Sequence, residues 1–195
     1  MSTRSETVEL VADGTARNLA RAGLFAALVG AFAYVTFPNP VSPVSVTLQV
    51  LGVFLAGVYL GPVWGGVSLV CYLLAGVLGA PVFQGGSAGL GALVGQSGGY
   101  LLSYPVAAAL VGGIVHRGGT LRDPRTVRPA VLVAAMVLGT IVIYTAGILG
   151  LVVVLSLTPA EAVAVGAVAF LPAEALKIAA AVGIVRSDVV SAADR

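Results

Sequence analysis

TLQVLGVFLAGVYLGPVWGGVSLVCYLLAGVL, residues 47–78, contains no Asp, Glu, Lys, Arg or His. Thirty-two residues of this kind cannot lie on the surface of a soluble domain, and the Gly61-Pro62 step inside them sets how many helices they form. Pro62 has no N–H to continue a helix but fits the first turn of a new one. The stretch therefore divides into a helix over about 47–60 and a second over about 62–78. Outward from it, no Asp, Glu, Lys or Arg occurs anywhere from Ala22 to His116. The whole chain of 195 residues is 58% hydrophobic and only 9% charged, with a mean hydropathy of +1.05. Soluble domains carry about 25% charged residues. A run of nearly a hundred residues without a charge is long enough for several membrane spans. The apolar runs are continuous, not alternating over about ten residues, which excludes a membrane β-barrel. The chain reads as an all-α membrane protein in one membrane domain, residues 1–195, embedded over about 18–187 with tails at 1–17 and 188–195.

The spacing predicts six transmembrane helices. The first covers about Asn18 to Thr36 and is ended by FPNPVSPVSV, where Pro38, Pro40 and Pro43 forbid a continuing helix. The two helices of 47–78 follow. A fourth covers about Gly99 to Val115 and a fifth about Pro129 to Leu157. Thr158-Pro159-Ala160-Glu161 has the form of a helix start, with Thr as cap, Pro in the first turn and Glu at the third position. It opens a sixth helix that runs to about Arg186.

Arginines orient the set. Arg4, Arg17 and Arg21 precede the first span. Arg117, Arg122, Arg125 and Arg128 lie between the fourth and fifth, and Arg186 and Arg195 follow the sixth. The connections 1–2, 3–4 and 5–6 have no Lys or Arg. The positive-inside rule then puts both termini and the 4–5 loop in the cytoplasm. The basic residues are dispersed, so a net charge of +2 gives no nucleic-acid surface. The polar first twenty residues do not resemble a cleaved signal peptide. Cys71, the single cysteine, lies in an apolar run and reads as packing.

Several motifs can be weighed on chemistry. GQSGG at 95–99 matches the G-x-S-x-G nucleophile pattern. The single histidine, His116, lies 19 residues past Ser97, about 28 Å along a helix, too far for a dyad. His116, beside Arg117, reads as a solvated helix end. No phosphate-binding G-x-x-x-x-G-K-[ST] loop is possible, because the only lysine is Lys177 in Leu-Lys-Ile. No cluster of Cys, His and carboxylates suggests a metal site. The first span carries two stripes of small residues, Ala22/Ala26/Gly30 and Gly23/Ala27/Ala31. Such spacing serves close helix approach, either within the chain or to a partner. Gly79 to Gly99 holds eight glycines interleaved with Pro81, Val82, Phe83, Leu90, Leu93 and Val94. This segment is expected to fold back at the membrane boundary and cap a cavity.

The sharpest feature is FLPAEALKIAA, residues 170–180. Glu174 and Lys177 share a helix face at i,i+3. Glu174 lies about 20 Å along the helix from Glu161 and about 18 Å from Arg186, near mid-span. A charge at that depth costs about 2.5–3.5 kcal/mol on insertion scales. Pro172 is expected to kink the helix just before the pair. The pair can be a structural ion pair within the bundle or a midplane site for a small polar or anionic solute.

VSVTLQVLGVFLAGVYLGPVWGGVSLVCYLLAGVLGAPVFQGG (44–86), GQSGGYLLSY (95–104) and FLPAEALKIAAA (170–181) together resemble the biotin-specific substrate-binding subunit, the BioY family, of energy-coupling factor (ECF) transporters. The resemblance extends over roughly residues 20–187. Its most specific parts are Thr47-Leu48-Gln49, Leu60-Gly61-Pro62, Gly79-Ala80-Pro81-Val82-Phe83 and Gly98-Gly99-Tyr100. Two positions depart from the family pattern: Glu174-x-x-Lys177 replaces Asp-x-x-Lys, and Gln96-Ser97 replaces Pro-Thr. The resemblance implies a non-enzymatic subunit in a prokaryotic plasma membrane that binds biotin as transported substrate and uses no cofactor of its own. Its implied partners are a transmembrane coupling protein and two ATPase subunits. It implies biotin contacts from Glu174, Lys177, Gln84, Gly86, Gly89, Ser97 and Tyr100. Glu174 would accept from ureido N–H groups, while Lys177 would donate to the ureido carbonyl or the carboxylate. It also implies a coupling-protein surface on Ala22, Ala26, Gly30, Gly23 and Ala27. A subunit of the same architecture for another vitamin, such as thiamine or riboflavin, is the alternative; a structural or intramembrane enzyme subunit is a third reading.

Overall fold

The computed structural model describes residues 13–118 and 120–187. The first helix, α1 (Asp13–Phe32), starts and ends about four residues earlier than the sequence predicts. The chain turns well before the prolines because residues 36–37 and 46–47 form two short strands, β1 (Thr36–Phe37) and β2 (Val46–Thr47). They pair antiparallel, with Thr36 opposite Thr47. The proline-rich connection thus becomes a short ribbon that delivers Thr47 and Gln49 to the start of the next helix.

Helix α2 (Gln49–Val77) has a break at Gly61, whose φ of 75° and ψ of −174° are not helical. A straight helix would separate Gln49 from Tyr72 by about 35 Å. Instead the Gln49 Nε2 donates to the Tyr72 hydroxyl. The chain therefore reverses at Gly61, and residues 49–60 and 62–77 are two antiparallel arms. Glycine is favoured at this turn by the positive φ; a Cβ there would also stand 2.6 Å from the end of the Leu121 side chain, which would have to move.

A glycine-rich connection with one short helix, α3 (Leu90–Val94), leads to α4 (Gly98–His116). After the arginine-bearing loop comes α5 (Pro129–Leu155). The α2 arms pack on α1 and α4, and α4 packs on α5. The α2–α4 approach is backbone to backbone: a Cβ on Gly57 would lie 2.5 Å from the Ala108 carbonyl oxygen. Small residues permit this contact where lipid supplies no hydrophobic drive to push helices together.

The last span is two helices, α6 (Pro159–Gly166) and α7 (Leu171–Arg186), joined through a single 3-10 turn at Val168–Phe170. Thr158 and Glu161 form the expected capping box at its start. Pro172 does not kink a continuous helix, as its position suggested. The helix has already ended at Gly166, and Pro172 sits in the first turn of α7, where its missing N–H costs nothing. With α1, the two arms of α2, α4, α5 and the broken α6–α7 rod, six helical rods make the bundle. Among the described residues, four helical stretches, 49–77, 98–116, 129–155 and 159–186, are long and apolar enough to cross a membrane by length and composition, the first of them doubled back at Gly61 and the last broken after Gly166.

Two further expectations change. His116 is not solvated but only 1% exposed. Its Nε2 lies 2.9 Å from the Val58 carbonyl, and its Nδ1 accepts from the Arg122 N–H at 3.0 Å. The ring thus ties the end of one α2 arm to the arginine loop, at the far end of α4 from Ser97. On α1, Ala22 is fully buried, with its carbonyl accepting from the Ser68 hydroxyl at 2.8 Å, and Gly30 is buried under Val82. These two face α2 and the connection after it, and are unavailable to a partner, while Ala26 is half-buried. Gly23, Ala27 and Ala31, on the adjacent stripe, are exposed.

Candidate functional site

The break between α6 and α7 frees a carbonyl that a helix would otherwise satisfy. The Tyr100 hydroxyl donates to it, Gly166 O, at 2.7 Å. The Tyr100 ring occupies a slot cut by two glycines, since a Cβ on Gly147 would enter the ring and one on Gly166 would reach its hydroxyl. The first turn of α7 is thereby fixed, and Glu174 stands in it. A helix N-terminus carries partial positive charge, which favours a carboxylate there. Burial alone would disfavour it: Glu174 is 3% exposed and Lys177 5%.

Each charge is held. Lys177 Nζ donates to Glu174 Oε2 at 2.9 Å, and the Tyr144 hydroxyl donates to the same oxygen at 3.0 Å. Among the described residues the other carboxylate oxygen, Oε1, has only Thr140 Oγ1 at 3.5 Å, and that hydroxyl also lies 3.0 Å from the Met136 carbonyl. An ammonium has three donors, whereas a carboxylate accepts through two oxygens. Among the described residues Lys177 uses one donor, so two N–H bonds remain beside a nearly unengaged Oε1. This arrangement presents a donor and an acceptor side by side in a buried site.

The pair lines a cavity shared with Gln84, Ser97 and Tyr100, so five of the seven predicted contact residues converge. Gly86 and Gly89 do not line it. Gly86 packs beside Tyr34, and Gly89 precedes α3 with a φ of 87° and its N–H bonded to the Gly76 carbonyl at 2.7 Å. The glycine-rich connection does fold back over the bundle. Phe83, 1% exposed, lies where a Cβ on Gly76 would stand, and the Gly85 N–H bonds Ala33 O at 3.2 Å.

Sequence reasoning did not place Thr47, Gln49, Tyr104, Tyr144 or Phe170 in the site, yet all line the cavity. Thr47 Oγ1 donates to Gln49 Oε1 at 3.0 Å, which orients the amide to donate to Tyr72. Tyr100, Tyr144 and Phe170 form a mutual aromatic wall, with ring centroids 6.3–6.5 Å apart. Tyrosines inside otherwise uncharged spans were the available signal, because a phenol in a membrane span turns to the bundle interior for a partner. The lining contains no arginine.

The fold and the cavity define a multi-pass α-helical membrane protein with a small, partly polar site near the start of a broken helix. The BioY family model matches residues 2–193, and the chain belongs to that family. It is 34% identical over 168 residues to a protein of Rhizobium etli named biotin transporter BioY, taking in 83% of this chain and 87% of that one. It is 39% identical over 97 residues to one of Pyrococcus horikoshii named probable biotin transporter BioY. That match takes in 50% of this chain and spans 59% of the archaeal protein's length. The fold is that of the S-component for biotin from an ECF-type ABC transporter. The TM-score is 0.80 over 90% of this chain and 92% of that one, at 24% identity.

Proposed function

We propose that the chain binds biotin in this cavity and serves as the substrate-binding membrane subunit of biotin uptake, energised by partner ATPases through a coupling protein. The observation that carries the reading is the Glu174–Lys177 pair, with an open carboxylate oxygen beside unused ammonium donors. Biotin offers the complement: in its ureido ring an N–H donor lies next to a carbonyl acceptor. Glu174 Oε1 accepts from one ureido N–H, and Lys177 donates to the ureido carbonyl. Tyr100, Tyr144 and Phe170 supply apolar wall for the fused sulfur ring and tail, while Gln84 and Ser97 close the side under the glycine-rich connection. The names carried by relatives support biotin in preference to thiamine or riboflavin. So does the lysine, which a site for a cationic vitamin would lack.

The orientation follows from charge. Arg21, the Gly61 reversal, the loop from Arg117 to Arg128 and Arg186 belong to one end of the bundle. Gln49, Ser97, Tyr100 and Glu174 lie toward the other ends of their helices. The arginine end is cytoplasmic by the positive-inside rule, so the cavity opens to the outside of a prokaryotic plasma membrane. No phosphate-binding loop exists in the sequence, so ATP hydrolysis belongs to the partners. The exposed Gly23/Ala27 stripe is the surface offered to the coupling protein. Calorimetric titration of the purified protein with biotin, thiamine and riboflavin tests the assignment. Heat of binding is expected with biotin alone, and tight binding of either other vitamin in its place refutes it.

A further inference from the structure

Resting on the biotin reading, we infer that the Tyr104 hydroxyl is a further substrate contact and donates to the ureido carbonyl oxygen as a second donor beside Lys177. Four tyrosines surround the cavity and its floor. Tyr144 donates to Glu174, Tyr100 to Gly166 O, and Tyr72 accepts from Gln49. Tyr104 lines the cavity, is 4% exposed, and has no hydrogen-bond partner among the described residues. A phenol held in that state is costly unless something else engages it. The only fully enclosed side-chain polar atom without a partner among the described residues is the Tyr59 hydroxyl. The Tyr104 oxygen therefore still opens onto the cavity it lines. Its ring is held in place, 6.4 Å from the Tyr72 ring and 28° from parallel to it.

The chemistry of the ligand selects the contact. In a five-membered cyclic urea the two N–H groups flank the carbonyl on either side. One carboxylate cannot take both, but Glu174 and Lys177, 2.9 Å apart, fit one N–H and the adjacent oxygen. The carbonyl oxygen has two lone pairs, and Lys177 occupies one. A rigid phenol on α4 lining the same cavity, with its proton uncommitted among the described residues, fits the second. Gln84 and Ser97 are half-buried under the glycine-rich connection and are less enclosed donors.

The test is Tyr104→Phe, which keeps the ring and removes no hydrogen bond made within the protein. The ligand-free melting temperature is expected to stay at the parent value. Biotin affinity, measured by calorimetry, is expected to fall about tenfold, the effect of one buried hydrogen bond. The analogue with sulfur in place of the ureido oxygen, a poor acceptor, is expected to lose less than about threefold from the same substitution. Unchanged biotin affinity in Tyr104→Phe, alongside large losses in Glu174→Gln and Lys177→Met, overturns this contact and leaves the site standing. Equal loss for biotin and the sulfur analogue also overturns it, because the hydroxyl would then serve an N–H. If all three variants bind like the parent, the site itself is elsewhere.

Discussion

The Tyr100 hydroxyl donates to the carbonyl of Gly166 at 2.7 Å, across 66 residues of sequence. This one bond joins α4 to the break in the last span, and through that break it sets where α7 begins. The depth and direction of Glu174 and Lys177 depend on that starting point.

Tyr100→Phe leaves the Gly166 carbonyl buried without a donor. The expected cost is about 1–3 kcal/mol of stability, read as a lower melting temperature of the ligand-free protein. Biotin affinity per folded molecule should fall as well, because the first turn of α7 is less firmly held. Gly147→Ala should be more damaging than Tyr100→Phe, since a Cβ there enters the Tyr100 ring. Equal melting temperatures for both variants and the parent would show that the break does not depend on this contact.

The two small-residue stripes of α1 separate by exposure and so by expected effect. Ala27→Leu, on the exposed stripe, should weaken co-purification with the coupling protein and leave biotin binding intact. Ala22→Leu, at a fully buried position, should lower folded yield by overpacking, at a cost of about 1–3 kcal/mol. The comparison is made by affinity capture of the assembled complex and by melting temperature. Loss of folded yield in Ala27→Leu with assembly unaffected would refute the assignment of faces.

Topology is tested by labelling. Single cysteines replacing Asn39 and Arg122, in a Cys71→Ser background, should react with a membrane-impermeant reagent from opposite sides. Asn39 is expected to label from outside and Arg122 only after the membrane is opened. Labelling of both from one side would contradict the six-rod arrangement.

Much of this was legible in the sequence because the membrane simplifies the physics. Lipid satisfies no backbone groups, so uncharged runs must be helices. Gly61-Pro62 was readable as a break between two helices, since proline cannot continue a helix but fits the first turn of a new one. The Thr158 start was readable from its capping box. The end of a helix inside a span was not: Gly166 and Ala167 do not stand out, and only the Tyr100 hydroxyl, far away in sequence, makes the break affordable there. For the same reason Tyr104 and Tyr144 could not be placed, as their roles arise where α4, α5 and α7 meet. His116 was misread because its neighbours in sequence are polar, while its neighbours in space are the Val58 carbonyl and the Arg122 N–H. The small stripes were readable from their spacing, but spacing alone could not say which of the two faces inward.

The most direct measurement is biotin affinity in Glu174→Gln and in Lys177→Met, set beside the melting temperature of each variant without ligand. Removing one partner of a buried, hydrogen-bonded charge pair that holds a ligand should weaken binding by at least about 2 kcal/mol. The ligand-free fold should survive, because a lone buried carboxyl can take up a proton and a lone buried amine can release one. The methyl ester of biotin refines the result: with Lys177 on the ureido carbonyl, acid and ester should lose equally in Lys177→Met. The account predicts lost affinity with melting temperatures near the parent's. Parent-like biotin affinity per folded molecule in both variants, with melting temperatures sharply lowered, would make the pair a structural ion pair and contradict the account.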